Sequence, residues 1–431
     1  MLHSIPSEKL GPFGPAMAHA VQACVHCGFC LAACPTYAEL GQEMDTPRGR
    51  IVLMKQVLEG SLAYEAAQPH VDRCLGCLAC EPACPSGVHY RDLINPFRAL
   101  ARSGALNSGS TAEGHSSPQK FSHRLLGQIL PFPTRFRLAA RLGIAARPFS
   151  SIIPRTLRPM LKLLPAGLPS ARKWPEVIPA QGTRRARAAL LVGCVQQVLD
   201  PDINTATIEV LSRNGVEVVI PPKQACCGGL AWHTGDLAAA QRFARLNLEA
   251  FPKDVDAILT NAAGCGSTLQ EYDLILRGTA DEARAVAFRK AVMDVSVFLC
   301  RLGLVPLSGS SAAQRVAYQD ACHLAHAQGV SAEPRKLLRA IPGVELIDLA
   351  ESHLCCGSAG TYNMDQPDIA ASLGEKKARA IVATGARMVV SGNIGCLRQM
   401  QFHLERLGSR MPVRHTMQLL RDSYRESPSR L

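Results

Sequence analysis

Short apolar runs recur in a fixed order along the second half of the chain. Residues 188–194 (AALLVGC) and 315–322 (RVAYQDAC) each read as a strand ending in a cysteine. A helix-like stretch follows each, then a shorter apolar run, VEVVI at 216–220 and VELIDL at 344–349. Cys226-Cys227 and Cys355-Cys356 come next, each pair followed by glycine. Further helical stretches lead to DAILTNAAGC and RMVVSGNIGC, which read as strands closing at Cys265 and Cys396. Corresponding cysteines are offset by 128, 129 and 131 residues, so this half is an internal duplication. Strands alternating with helices predict α/β units with a largely parallel sheet. Ligands of such sheets sit at the carboxyl ends of strands, which would bring the cysteines of each repeat to one crevice. Nearer the N-terminus, TPRGRIVLMKQVLEG predicts a loop and then a helix over residues 50–58. Leu53, Val57 and Leu58 would face a core, and Arg48 and Arg50 read more simply as an exposed, solvated pair than as positive charge offsetting negative groups held by the nearby cysteines.

The chain has 431 residues and 17 cysteines. That length suits two to four domains, and 47% apolar against 19% charged residues excludes a disordered chain. No uncharged apolar run reaches eighteen residues, so no membrane span is expected, and the first twenty residues predict no cleavable secretory signal. Clustered thiols then point to metal or redox chemistry. Cys24, Cys27, Cys30 and Cys34 stand at C-x-x-C-x-x-C-x-x-x-C followed by Pro35, and Cys74, Cys77, Cys80 and Cys84 repeat the spacing before Pro85. Zinc would take four thiolates in paired C-x-x-C units. Two identical runs, each ending in Cys-Pro, match instead the two-cluster bacterial ferredoxin pattern, in which the fourth cysteine ligates the other cluster. The spacing therefore assigns Cys24, Cys27, Cys30 and Cys84 to one [4Fe-4S] cluster, and Cys74, Cys77, Cys80 and Cys34 to a second.

Each repeat of the second half offers four thiols as candidate ligands for a further cluster or metal. They are Cys194, Cys226, Cys227 and Cys265, and Cys322, Cys355, Cys356 and Cys396. Cys300 fits neither set and reads as a packed core residue. His233, His323, His326 and His353 lie near the motifs and read as satisfied polar residues open to a proton-transfer or quinone role.

The net charge of +12 is carried by one segment. Residues 120–187 hold fourteen Lys and Arg against the single acid Glu176, and nine prolines. Prolines this dense predict short helical pieces. Two readings stand side by side: a connector whose arginines snorkel to water, and a dock for an anionic membrane surface or an acidic partner. With 5% aromatics and no binding motif, no nucleic acid is expected. The expected architecture is α/β overall. A mostly helical two-[4Fe-4S] ferredoxin-like domain spans 1–110, a basic Pro-rich connector 111–187, and duplicated α/β repeats 188–308 and 309–431.

The stretch from CVHCGFCLAACP through TPRGRIVLMKQVLEG, with DRCLGCLACEPACPSGVHYRDL, resembles the iron-sulfur subunit of bacterial glycolate oxidase. The two repeats resemble the CCG domains shared with heterodisulfide reductase subunits, without the C-x-x-C ending seen in some of them. The chain shows no G-x-G-x-x-G between a strand and a helix, so neither flavin nor nicotinamide is expected in it. The resemblance implies an electron relay with no catalytic residue of its own. Flavoprotein partner subunits would oxidise glycolate to glyoxylate, and electrons would pass through two clusters to a quinone or other acceptor. The alternatives are an equivalent subunit for another 2-hydroxy acid or glycerol-3-phosphate, or a catalytic subunit using the CCG cysteines. The expected location is the cytoplasm, with a peripheral position on the inner face of the cytoplasmic membrane under the second reading of the connector.

Overall fold

The computed structural model describes residues 4–106, 118–149, 153, 158–307 and 314–425. Five helices make the N-terminal unit: α1 (Gly14–Gln22), α2 (Pro35–Leu40), α3 (Pro47–Leu58), α4 (Tyr64–Asp72) and α5 (Arg91–Ser103). The two cysteine runs are the loops that leave α1 and α4. Each loop turns through two left-handed residues, two and four positions after its first cysteine. These are His26 (φ 55°) and Gly28 (φ 88°) in one, Gly76 (φ 64°) and Leu78 (φ 58°) in the other. Left-handed backbone costs a non-glycine residue energy, so His26 and Leu78 are held by their surroundings. Pro35 opens α2 at its first position, where its missing N–H costs nothing. Pro85 begins a turn instead.

Helix α3 starts three residues before the expected position. Thr46 caps it by accepting the Gly49 N–H at 2.9 Å, and Pro47 fills its first turn. Val57 and Leu58 are buried as expected, and Leu53 packs on the same core. The expectation of a solvated arginine pair is overturned. Arg50 is 1% exposed. Its Nε donates to the His70 carbonyl at 2.6 Å and its Nη2 to Thr36 Oγ1 at 3.0 Å, and Nη2 lies 3.5 Å from the fully buried Asp45. His70 Nδ1 and Arg73 Nη1, each at 3.1 Å, complete the shell around Asp45. A buried guanidinium survives only when its donors are used and its charge is matched. Arg48 is partly exposed and donates to the His26 carbonyl at 3.0 Å.

The connector contributes α6 (Pro118–Ile129), α7 (Pro133–Ala145) and α8 (Arg158–Leu163), short as its prolines require. Phe136 and Ala140 of α7 bury against Val198 of the first repeat. Arg137 donates to the carbonyls of Pro169 and Gln197, and Arg147 to that of Leu161.

Nine strands form two sheets among the described residues. The first comprises β1 (Val177–Ile178), β2 (Ala186–Leu191), β3 (Val216–Val219), β4 (Ala257–Thr260) and β5 (Val292–Asp294) in the order β1-β3-β2-β4-β5. Only β1, from the end of the connector, runs antiparallel. The second comprises β6 (Gln314–Tyr318), β7 (Val344–Asp348), β8 (Met388–Ser391) and β9 (Val413–His415), all parallel, in the order β7-β6-β8-β9. Registers correspond: Ala188 faces Val218 and Ala257, and Val316 faces Leu346 and Met388. One apolar core holds β2, β3 and β4 together with β6, β8 and the helix Thr416–Arg425, so the repeats share an interior. The strands stop short of the cysteines. β4 and β8 end at Thr260 and Ser391, and Cys265 and Cys396 lie in the helices that follow, Ala263–Leu269 and Ile394–Arg406.

Asp45→Ala strips buried Arg50 of its carboxylate, a loss of about 3–5 kcal/mol for a buried pair. Denaturant unfolding followed by circular dichroism is expected to show a loss of that size. Glu375→Ala, which breaks a surface pair with Arg379, should leave the midpoint where it was.

Candidate iron-sulfur and thiol sites

The eight N-terminal cysteines fall into two groups in space. Cys24, Cys27, Cys30 and Cys84 line one pocket, which Cys80 also lines. Burial pushes the Cys24 thiol up, and neighbouring Cys84 and Cys27 add to it. Burial also pushes Cys30 up to about 11, with Cys24 and Cys84 again the thiols that repel it. In the other group, burial drives Cys77 and Cys80 well above the usual thiol range, and both feel Cys34 and Cys74. Thus the fourth cysteine of each run stands with the first three of the other. Cys74 departs from this trend. Burial opposes its ionisation, but Arg50 and Arg98, the Gly76 N–H at 3.4 Å and the Tyr90 hydroxyl at 3.9 Å bring it below the usual value. Soft thiols gathered four at a time, most of them partly or fully buried, are a donor set that a soft metal relieves. The residues present therefore fit an iron-sulfur cluster in each group. Gly28 belongs to the cradle, since a Cβ there would meet Arg48 Nη1 at 2.8 Å.

Each repeat gathers its four thiols as the sequence leads one to expect. Cys194 and Cys226 sulfurs lie 3.4 Å apart, and Cys322 and Cys355 sulfurs 3.9 Å apart. Hydrogen bonds from Cys226 and Cys265 bring Cys227 well below the usual thiol value, and Cys355 and Cys396 do the same for Cys356. Each tetrad therefore holds one thiol inclined to ionise beside two that resist, Cys226 and Cys265 in the first and Cys355 and Cys396 in the second. Gly228 and Gly357, both at φ 84°, turn the chain after each vicinal pair. An added Cβ would press on Ala240 in one repeat and Ala370 in the other.

Those two contacts fix an offset of 130 residues, which exposes a difference that sequence reading missed. Asn247 of the first repeat corresponds to Lys377 of the second. Asn247 accepts the Ala225 N–H and donates to the Cys226 carbonyl. Lys377 is buried, donates to the Glu351 carbonyl at 2.9 Å, and has Cys356, Cys355 and Cys396 as its nearest opposing charges. Likewise Tyr272, seven residues after Cys265, has its counterpart in His403, seven after Cys396. The first tetrad thus has the neutral amide of Asn247 where the second has Lys377, whose amine burial pushes down against the pull of the thiols. Carrying the cysteine offset on to the following helices was the available signal.

The second tetrad touches the N-terminal unit. Leu75, Cys77, Cys322, Cys355 and Tyr362 pack in one apolar cluster, and Cys322 is the thiol that raises Cys77 most. His323 Nε2 donates to the Gly76 carbonyl at 3.0 Å, and Tyr362 Oη to that of Arg73 at 2.8 Å. His326 donates to the His353 carbonyl. Cys300 joins no thiol group and is half-buried, with its sulfur 3.5 Å from the Glu333 carbonyl.

Residues 20–88 match the family model of the 4Fe-4S dicluster domain, and residues 188–270 and 316–401 each match that of the cysteine-rich domain. The chain is 36% identical over 411 residues to the probable glycolate oxidase iron-sulfur subunit of Bacillus subtilis, covering 91% of this chain and 90% of the relative. It is 37% identical over 407 residues to the glycolate oxidase iron-sulfur subunit of Escherichia coli, covering 93% of each. The chain belongs to the glycolate oxidase iron-sulfur subunit family. Its cofactors are two [4Fe-4S] clusters, and its role is that of an electron-transfer subunit of an oxidoreductase. Lactate utilization protein A of Oceanobacillus iheyensis is 31% identical over 242 residues, 56% of this chain and 98% of that protein. No described helix is long and apolar enough to cross a membrane.

In this iron-sulfur subunit a buried polar network fastens the N-terminal unit to the first repeat. Glu271 accepts from Trp232 Nε1 at 2.7 Å and from Asn95 Nδ2 of α5 at 3.1 Å, and Arg91 lies 4.0 Å away. His233 Nδ1 lies 3.3 Å from Asn95 Oδ1, and its ring centroid is 5.2 Å from that of His323. Burial keeps both imidazoles neutral near pH 7. Burial also raises the Glu271 carboxyl from 4.5 to about 7, against the pull of Arg91 and with Glu81 adding to the rise. An acid raised on folding stabilises the fold fully below its unfolded value of 4.5 and loses that contribution as pH climbs through about 7. Glu271→Gln is expected to flatten the fall in stability between about pH 5 and pH 8 by about 1–3 kcal/mol. Unfolding midpoints of both proteins across that window check it, and parallel curves would refute it.

Proposed function

We propose that this chain carries electrons from a flavoprotein subunit, which oxidises glycolate to glyoxylate, through two clusters to a quinone-type acceptor. The observation that carries the proposal is the pairing of two thiol groups inside one packed unit, in a chain with no fingerprint for a two-electron cofactor. Oxidising a 2-hydroxy acid removes two electrons, and each cluster, when bound, takes and gives them singly. The substrate comes from the relatives named above, and the relay from the cysteines. Arg48, Arg50 and Arg98 supply positive charge around the thiolates, and the Gly76 N–H and Tyr90 hydroxyl supply hydrogen bonds that tune them. The isolated chain should show cluster absorption and no glycolate oxidation. In the assembled complex, substitution of Cys24, Cys27, Cys74 or Cys77 should stop turnover with a distant acceptor, while glycolate still reduces the flavin. Glycolate oxidation by the isolated chain would sink the relay. Cluster reduction by D-lactate or glycerol-3-phosphate but not by glycolate would sink only the substrate.

Cys24, Cys27, Cys30 and Cys84 hold one cluster in this account, and Cys74, Cys77, Cys80 and Cys34 the other. Cys34→Ala should then damage the cluster of Cys74, Cys77 and Cys80. Paramagnetic resonance of that variant decides it, and selective loss of the cluster of Cys24, Cys27 and Cys30 would reject the crossing. The two tetrads are further thiol sites for redox chemistry or an additional cluster. The second is favoured by the cation Lys377 and by its contact with Cys77.

The connector supports a peripheral contact with anionic lipid. On α7, Leu138 and Leu142 are 60% and 63% exposed, and Phe149 just beyond is 63% exposed. At 3.6 residues per turn the two leucines sit at ~200° and ~240° from buried Phe136, between Arg141 at ~140° and Arg135 at ~260°. Bulky apolar groups flanked by arginines suit the headgroup region of a charged bilayer. Full-length protein should float with vesicles of about one-third phosphatidylglycerol and be released by salt. Arg135→Gln with Arg141→Gln should weaken binding by about 2 kcal/mol at the rate of ~1 kcal/mol per basic group. No flotation at low salt, or flotation unchanged in the double variant, would reject the contact.

A further inference from the structure

Of the seventeen cysteines, Cys27 alone is exposed. It lies between Val25 and Phe29, which are 66% and 68% exposed, and Phe29 is the most exposed large apolar side chain among the described residues. Met44, 54% exposed, adjoins the same loop, because Glu43 beside it pairs with Arg48 at 2.7 Å and Arg48 donates to the His26 carbonyl at 3.0 Å. Val25 and Phe29 therefore flank, two residues away on either side, the one thiol of the relay that reaches the surface, and Met44 stands on the turn that Arg48 ties to this loop.

We propose that this patch is the electron-entry port, and that its occupant is the flavoprotein partner. The proposal rests on the relay reading above and adds where the partner sits. Three features favour a protein partner over lipid. The patch is apolar, and the two charges that tie it together, Arg48 and Glu43, neutralise each other, as in the charge-depleted core of a protein interface. The α7 face, by contrast, is rimmed by Arg135 and Arg141. The loop is also pre-set: His26 and Gly28 are left-handed, and Arg48 ties the His26 carbonyl, so little order has to be gained on docking. Finally, the second thiol group has no exposed thiol and lies deeper. Cys34 and Cys80 are buried, and Cys77 packs on the second tetrad. Electrons then enter beside Cys27 and pass inward to the group that includes Cys77. Each transfer moves one electron from reduced flavin to the cluster held beside Cys27, and the flavin loses its second electron in a second transfer.

The test uses the full-length chain and the flavoprotein subunits, with binding measured directly by co-elution and titration. Phe29→Glu and Met44→Glu should each weaken binding about 30-fold or more, the scale of an interface hot spot. Phe29→Leu should restore it. Visible absorption and reduction by dithionite should be unchanged in all three, which separates lost docking from lost clusters. Leu138→Glu on α7 should leave flavoprotein affinity unaltered. Because the readout is binding, the result stands or falls whichever 2-hydroxy acid the flavoprotein oxidises. Undiminished flavoprotein affinity in both glutamate variants would overturn the proposal. So would intact flavoprotein binding combined with failure of the acceptor to reoxidise the clusters, since the patch would then face the acceptor.

Discussion

Four thiolates that bind one cubane have to reach a single point, and one short loop delivers only three of them inward. This chain meets that demand by lending the last cysteine of each loop to the other group, so neither group can form without both loops. The left-handed residues at two and four positions past Cys24 and Cys74 bend each loop around its sulfurs. Helix α3 and its buried Arg50 lie between the loops, where Asp45, His70 and Thr36 hold the guanidinium and Cys34 lies 3.9 Å from it. A charge is tolerated there because Asp45 carries the opposite one, and Cys74, drawn below the usual thiol value, adds to it. The cost of burying the arginine and the cost of gathering the sulfurs offset each other.

The duplicated half extends the same logic. Both repeats bring four thiols past the ends of parallel strands, and both turn on a glycine after the vicinal pair. They differ where one meets the N-terminal unit: the second tetrad packs against Cys77 and has Lys377 beside it, while the first has Asn247 in that place. Two copies of one architecture thus have unequal electrostatics. The Glu271 network and the His323–Gly76 hydrogen bond fasten both repeats to the cysteine loops, which sets the loops at fixed distances from the tetrads.

Much of this was legible in the sequence. The strands of the repeats fell where the apolar runs placed them, because each run is short, most are largely buried, and each is followed by turn residues. The two cysteine runs announced their chemistry by spacing alone. What escaped reading depends on partners far away in the chain. Arg50 looked solvated because its acceptors, His70 and Asp45, come from another helix and a turn. Cys265 and Cys396 looked like strand ends because the small residues before them suit a strand as well as the first turn of a helix. Of the two readings of the connector, packing claims Phe136, Ala140, Arg137 and Arg147, and the opposite face of the same helix is left exposed. Helix periodicity contained that division, but only the position of Val198 shows which face turns inward.

The central claim is that electrons pass through the clusters held by the eight N-terminal cysteines on their way from substrate to acceptor. Rapid-freeze paramagnetic resonance of the assembled complex, mixed with glycolate, tests it most directly. The account predicts that reduced-cluster signals rise at least as fast as the complex turns over, and before the acceptor is reduced. Clusters that stay oxidised while glycolate is consumed at the full rate would contradict it.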